Sequence, residues 1–252
     1  YQAWDGISAE MLKTDRTFNP NGMYTDDNGN VQFYENEVDD YRQDHYHLMF
    51  TQKTGKHSWL SSTLHYTHGE GYYEQYEEDD TPSYYGISVD SASADESDLV
   101  TRKWLDNDFY GISMAWNTRT QTFECIAGGA VNHYEGRHFG QVIFAAEPGV
   151  SLSDYLEWYR NTGDKTDANV FGKLRYSLTK QLNAFADLQF RYIDYKMKGP
   201  DDDYRDLSGV HRFRFLNPKT GLSWDLSRHQ NLQLSLAIAN REPSRSNFKD
   251  AD

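Results

Sequence analysis

The sequence predicts an all-β fold, a segment of an antiparallel transmembrane β-barrel with about eight strands. Apolar and polar residues alternate over segments of up to about ten residues, and short and long connections follow one another in strict alternation. Aromatic residues also gather at the ends of these segments. A two-residue period is typical of a strand with one apolar and one polar environment, and this connection pattern is typical of outer-membrane barrels.

The composition narrows the classes of protein. The 252 residues are 37% hydrophobic and 15% aromatic, so the chain can fold rather than remain disordered. The mean hydropathy is -0.87, and no run approaches the roughly 18 apolar residues of a membrane helix. A helical membrane protein is therefore excluded, whereas a barrel hides its lipid-facing residues among polar ones. The net charge of -14 disfavours a nucleic-acid partner.

Eight strands are predicted along the chain. The clearest pair covers residues 170–178 and 182–192, where Leu174 and Tyr176 lie on one face and Lys173 and Arg175 on the other. The same alternation occurs at 60–67, 110–117 and 232–239, and weaker patterns lie at 46–51, 122–132 and 222–227. Several of these segments are long enough to span a bilayer as tilted strands.

The connections fall into two kinds. Short ones lie near residues 52–56, 118–121, 179–181 and 228–231, and long ones cover 69–105, 133–167 and 196–209. Loops this long are uncommon in compact soluble domains, but short periplasmic turns and long extracellular loops are the layout of an outer-membrane barrel. Asn217-Pro218 interrupts one strand, and because Pro cannot donate to a ladder it predicts a bulge or bend near the rim.

Aromatic side chains suggest an interfacial girdle, since Tyr and Trp suit sites that are apolar at one end and wet at the other. Ordinary β propensity is the alternative explanation for any single one. The residues concerned are Tyr46, Trp59, Tyr66, Tyr72, Tyr73, Tyr84, Tyr85, Trp104, Phe109, Tyr110, Tyr155, Trp158, Tyr159, Tyr192 and Tyr195.

Candidate chemistry is sparse. Neither a nucleophile elbow, a phosphate-binding glycine loop nor a paired-carboxylate motif stands out, so no enzyme is predicted. The histidines lack a complete set of metal ligands at readable spacing, so no metal site and no cofactor are predicted. The acidic clusters at 77–80 and 201–203 are interpreted as solvated loop charges, and residues 26–30 as an Asn-Gly hairpin turn rather than a calcium loop. Cys125 is interpreted as a small buried hydrophobic residue.

Five stretches of sequence resemble one family in the same order. They are FNPNGMYTDDNGNVQFYENEVDDYRQDHYHL (18–48), HYTHGEGYYEQY (65–76), RKWLDNDFYG (102–111), FLNPKTGLSW (215–224) and ANREPSR (239–245). Each is similar to TonB-dependent outer-membrane receptors of the Bacteroidetes type. The resemblance covers most of the chain.

The resemblance implies a 22-stranded barrel closed by an N-terminal plug domain, in the outer membrane of a Gram-negative bacterium. It implies TonB-coupled import of a siderophore, haem, cobalamin or glycan. Residues 1–252 would then be an interior part of the barrel domain, with the plug and the remaining strands absent. The expected partners are that plug, the TonB complex, outer-membrane lipid and a small-molecule or glycan ligand.

The resemblance also suggests roles for individual side chains. Ligand contact is expected from the loop aromatics Tyr72, Tyr73, Tyr76, Trp104 and Trp158. The lumenal charges Lys173, Arg175, Asp187, Arg191 and Asp225 are expected to contact the plug or to pair across strands. Two alternatives remain open: an outer-membrane barrel enzyme such as a protease or lipase, and a soluble β-sandwich that binds carbohydrate.

Overall fold

The computed structural model describes residues 7–18, 20–26, 28–87, 96–146 and 156–251. A small hairpin, β1 (Met23–Thr25) and β2 (Val31–Phe33), precedes the main sheet. The sheet contains β3 (Asp39–Lys53), β4 (Ser58–Asp80), β5 (Ser97–Arg119), β6 (Phe123–Ala145), β7 (Leu156–Ser177), β8 (Leu182–Lys198), β9 (Gly209–Ser227) and β10 (Gln230–Ala237). Three short helices are α1 (Met11–Thr14), a 3-10 helix (Pro82–Tyr85) and α2 (Arg245–Lys249). None of the helices in these ranges is long and apolar enough to cross a membrane.

The eight-stranded sheet is an antiparallel meander. Its strand order is β10-β9-β8-β7-β6-β5-β4-β3, so every strand pairs with its neighbours in the chain. All eight predicted strands are confirmed, and so are the four short turns between them. The turn at 26–30 closes β1 and β2, where the Asp26 carboxylate accepts hydrogen bonds from the backbone N–H groups of Asn28 and Asn30.

The long connections are shorter than the sequence predicted. β4 and β5 each have 23 residues, so most of the predicted loop 69–105 is strand and only 81–96 connects them. The predicted loops 133–167 and 196–209 likewise shrink to 146–155 and 199–208. Apolar and polar residues do not alternate in these regions, because both faces of the strands carry polar and aromatic side chains. The two-residue period therefore could not predict them as strands.

Of the bulge or bend predicted at Asn217-Pro218, the bulge was wrong. Leu188 of β8 pairs with Pro218 of β9 without a register shift. The Pro218 carbonyl accepts a hydrogen bond from the N–H of Ile238, just where β10 ends. In an antiparallel ladder a residue's N–H and C=O point to the same neighbour, so the missing donor faces the end of β10 and costs β8 no hydrogen bond.

One face of the sheet, the outer face, carries an apolar band. Residues that share this face alternate with those on the other, the inner face, along each strand. The band's exposed side chains include Leu48, Leu64, Ile112, Met114, Val131, Val170, Leu174, Leu188, Phe190, Leu216, Leu222 and Leu234. An exposed apolar surface of this size is expected where a protein meets lipid.

Tyrosines mark the upper limit of the apolar band. Tyr46, Tyr66 and Tyr110 pair across three adjacent strands and form what we call the tyrosine border. The Tyr66 hydroxyl donates to Asp108 at 2.7 Å and that of Tyr110 to Glu135 at 3.3 Å, so both point away from the band. We call the sheet between the short turns and this border the membrane segment, and the sheet beyond it the upper segment.

The predicted girdle is only partly present. By alternation, Trp59, Tyr73, Phe109 and Tyr195 lie on the inner face, and Tyr72 and Trp104 lie on the outer face well above the border. Tyr155 falls outside the described residues. The faces of Tyr72, Tyr73 and Trp104 could not be predicted because the strand length beyond the border was underestimated.

The hydrophobic core lies in the upper segment. Tyr85, Ile87, Leu99, Val142, Trp158 and Tyr159 form one buried cluster. The β1–β2 hairpin packs on the outer face nearby, where Tyr24 and Tyr34 contact the ring of Tyr76. Around β4 the upper segment is therefore covered by the chain's own residues on both faces.

Candidate functional site

The connection between β8 and β9 lies on the inner face and forms salt bridges with other elements of the structure. Its residues Asp201, Asp202 and Asp203, which we call the acidic hub, contact α2 and β5. Lys103 of β5 and Lys249 of α2 place their Nζ atoms 2.8 and 2.6 Å from the Asp202 carboxylate. Arg245 of α2 lies 2.7 Å from Asp201. The interpretation of residues 201–203 as solvated loop charges was therefore wrong.

The charges of the hub stabilise one another. Burial by itself would raise the pKa of Asp202, but hydrogen bonds from Lys103 and Lys249 outweigh it and lower the pKa to about 2. Burial would likewise lower the pKa of Lys249, but Asp202 and Asp201 raise it above its ordinary value. Asp202 and Lys249 are therefore ionised at neutral pH.

A bulge in β7 supplies the aromatic wall beside the hub. The pairing of β6 with β7 shifts at Gly140, leaving Trp158 as an extra residue beside Tyr159. Both side chains are buried, and the Trp158 indole N–H donates to the Asp202 carbonyl at 3.3 Å. A Cβ at Gly140 would lie 2.3 Å from the Trp158 ring, so only glycine fits there.

An open cavity of about 570 Å³ adjoins the hub. Its lining includes Tyr41, Tyr73, Lys103, His138 and Tyr159. Burial first, and then the charge of Arg245, lowers the pKa of His138 to about 4, so its imidazole is neutral at pH 7. Phenol, imidazole and ammonium groups can together hold a ligand by hydrogen bonds and ring contacts.

A second cavity of about 650 Å³ lies lower on the inner face. The segment after β10 crosses it. There the Glu242 carboxylate forms salt bridges with the Lys165 ammonium at 2.5 Å and with the Arg191 guanidinium at 2.9 Å. Arg191 also forms an ion pair with Asp167 of the adjacent strand. The expectation that Arg191 pairs across strands is thus confirmed.

The structure divides the five predicted ligand contacts between two faces. Tyr73 and Trp158 lie on the inner face near the hub. Tyr72 and Trp104 border the cavity, but their rings pack together on the outer face with centroids 4.6 Å apart.

The fifth predicted contact, Tyr76, is also on the outer face, where its hydroxyl donates to Asp98 at 2.5 Å. The five side chains therefore do not form one group. Sequence reasoning missed Lys103, His138 and Lys249, which carried no local motif.

Two groups of described residues bring three possible metal-ligating atoms within 4.8 Å of one another. They are His68 with Asp106 and Asp108 on the outer face, and the acidic hub itself. Arg137 lies 2.7 Å from Asp106, and Lys249 contacts all three hub carboxylates. Both groups already have cationic partners within the chain.

The fold and sequence were compared with those of known proteins. Among solved structures, the closed form of the ferric-catecholate import receptor Fiu from E. coli K12 matches with a TM-score of 0.64 at 11% identity, covering 86% of this chain and 35% of that chain. Its open form matches with a TM-score of 0.63 at 10% identity, covering 84% and 38%. This likeness shows the barrel fold, and the chain spans little more than a third of those receptors.

No curated protein sequence matches the chain significantly. A family profile described as "TonB dependent receptor-like, beta-barrel" matches residues 2–250, nearly the whole sequence. The matched region includes the membrane segment, the upper segment and both inner cavities. The chain belongs to the TonB-dependent receptor-like β-barrel family.

Proposed function

We propose that the complete protein is an outer-membrane receptor that imports a nutrient with energy delivered through TonB. The observation that carries this proposal is the family match over residues 2–250. The chain would form about eight strands of a larger barrel, expected to have 22, around a plug domain of the same protein. A Gram-negative host of the Bacteroidetes type remains a prediction from the sequence.

The two faces of the sheet support this function. The outer face of the membrane segment suits lipid, whereas the inner face carries Lys165, Asp167, Arg191 and Glu242, which suit a polar lumen. A soluble β-sandwich is disfavoured because the eight strands form one sheet whose apolar face is uncovered. An outer-membrane enzyme is disfavoured because the family comprises transport receptors.

The ligand would bind on the inner face of the upper segment. We propose Tyr73, Lys103 and His138, which line the cavity of about 570 Å³, as contacts. Trp158 is buried behind this cavity and would hold the lining residue Tyr159 in place, since their rings pack together. Tyr72, Tyr76 and Trp104 would support the same strands from the outer face. The ligand could be a siderophore, haem, cobalamin or a glycan, and the structural relatives named as ferric-catecholate receptors make an iron chelate the first to test.

Uptake by whole cells tests the proposal. Cells that carry the full gene should take up labelled ferric siderophore, haem, cobalamin or glycan, and uptake of one of these should vanish when the TonB complex is deleted. Tyr73→Ala should reduce that uptake more than Tyr46→Ala, a control on the lipid-facing border. Uptake that persists without TonB would indicate a passive channel, and hydrolysis of lipid or peptide by the pure protein would indicate an enzyme.

A further inference from the structure

The outer face carries different charges on its two sides near the upper limit of the apolar band. On β3–β5 the side chains are mostly acidic: Asp44, Glu70, Asp106 and Asp108 against Arg42 and His68. On β8 and β9 they are mostly basic: Lys196, Lys198, Arg212 and Arg214 against Asp194. We call these four cations the basic patch. It stands out in a chain whose net charge is -14.

The basic patch is open to its surroundings. Side-chain exposure is 63% for Arg212 and 55% for Lys196. Arg212 lies 2.7 Å from Asp194, and Lys196 lies 4.0 Å from Asp164. Among the described residues, neither Lys198 nor Arg214 has an ion-pair partner. The patch therefore keeps an excess of positive charge that the chain itself does not neutralise.

The position of the patch relates it to a membrane surface. Arg214 pairs across the strands with Tyr192, which lies two residues below the row of the tyrosine border. The next outward side chains below are Phe190 and Leu216, which are 44% and 55% exposed. Cations thus lie directly above apolar side chains on one continuous surface. A lipid has the same order, with its headgroup above its acyl chains.

We propose that the basic patch binds the phosphate group of a phosphorylated outer-leaflet lipid, whose acyl chains lie against Phe190 and Leu216. This proposal rests on the placement of the protein in the outer membrane. Arg212 and Arg214 can each offer two parallel N–H donors to phosphate oxygens, and Lys196 and Lys198 add point charges. A free phosphate ion fits less well, because it leaves the apolar part of the surface without a partner.

The proposal is tested with the full-length protein in a mild detergent. Native mass spectrometry would count bound molecules of a short-chain phosphatidic acid, with diacylglycerol of the same chain length and inorganic phosphate as separate additions. The quadruple variant K196Q/K198Q/R212Q/R214Q should bind phosphatidic acid about tenfold more weakly or worse, because four cationic donors are lost. The control R42Q/R137Q removes one cation from the acidic side and one from the adjacent strand β6, and it should bind the lipid normally.

The outcomes separate the possibilities. Equal binding of phosphatidic acid to the wild-type protein and the quadruple variant would overturn the proposal, as would equal binding of diacylglycerol and phosphatidic acid. Displacement of the lipid by equimolar inorganic phosphate would show that only the anion is recognised, which also contradicts it. If the quadruple variant fails to fold, R214Q alone should still weaken binding, since Arg214 has no ion pair to lose. TonB-dependent uptake by the variants reports separately on the proposed function.

Discussion

The membrane segment and the upper segment are built from the same strands but are stabilised differently. In the membrane segment most outer side chains are apolar and many are exposed, and none of the buried hydrophobic cluster lies there. In the upper segment the outer face of β4 is covered by the β1–β2 hairpin, and the inner face is covered by the acidic hub and α2. One strand can thus extend through two environments, because its lower part has side chains suited to lipid and its upper part has side chains that pack against protein.

The largest expected effect lies in the upper segment, at Glu74. This carboxylate is 1% exposed and accepts hydrogen bonds from the Tyr34 hydroxyl at 2.5 Å and from Asn36 and Arg102, both at 2.6 Å. Glu74→Ala should destabilise the upper segment by about 3–5 kcal/mol, because Arg102 loses its buried partner. Proteolysis should then release the hairpin near Met23, while Glu70→Ala, at an exposed position of the same strand, should leave it protected. Equal protection of both variants would mean that the hairpin is held by other contacts.

A charge in the membrane segment should have the next largest effect. Leu188 lies near the middle of the apolar band and is 51% exposed, whereas Gln189 beside it faces the inner side. Leu188→Arg should cost about 2–4 kcal/mol of folding free energy in a bilayer, since the cation enters hydrocarbon. Gln189→Arg is the matched control and should cost much less. Denaturant titration of the full protein in vesicles measures both, and equal costs would contradict a lipid-facing Leu188.

The acidic hub should respond to pH. The folded-state pKa of Asp202, about 2, is below the ordinary 3.8, so the contribution of its charge to stability is complete above about pH 5 and is lost as the pH falls toward 2. The contribution is about 2 kcal/mol. Hydrogen exchange in residues 199–208 should therefore rise on acidification through this range. Asp202→Asn should show fast exchange already at pH 7, whereas Asp203→Asn, 3.8 Å from Lys249, should change it little.

The same division explains what could be predicted from sequence. In the membrane segment, Leu174 and Lys173 face different media, so their alternation identified the strand and its faces correctly. Above the border, Glu74 and Tyr76 are covered by the hairpin while Tyr73 faces the cavity, so polar and aromatic residues occur on both sides and the pattern disappears.

The residues of the candidate site were also harder to predict from the sequence, because they lie in the upper segment. Lys103, His138 and Lys249 are distant in sequence and meet only because the connection 199–208 and α2 fold over the inner face. Tyr72 and Tyr73 are adjacent in the sequence, yet they face opposite sides of one strand. Without the true strand length, the sequence could not tell which of the two would lie on the inner face.

The central claim is that the membrane segment crosses the outer membrane and that the upper segment lies outside the cell. Single cysteines at Asp79, an exposed position near the end of β4, and at Lys180, in the turn between β7 and β8, test it in the full-length protein. A Cys125→Ser background removes the native thiol. Intact cells treated with an impermeant maleimide should be labelled at residue 79, whereas residue 180 should react only after the outer membrane is opened. Labelling of residue 180 but not 79 in intact cells would reverse the orientation, and equal labelling of both would contradict a membrane-crossing sheet.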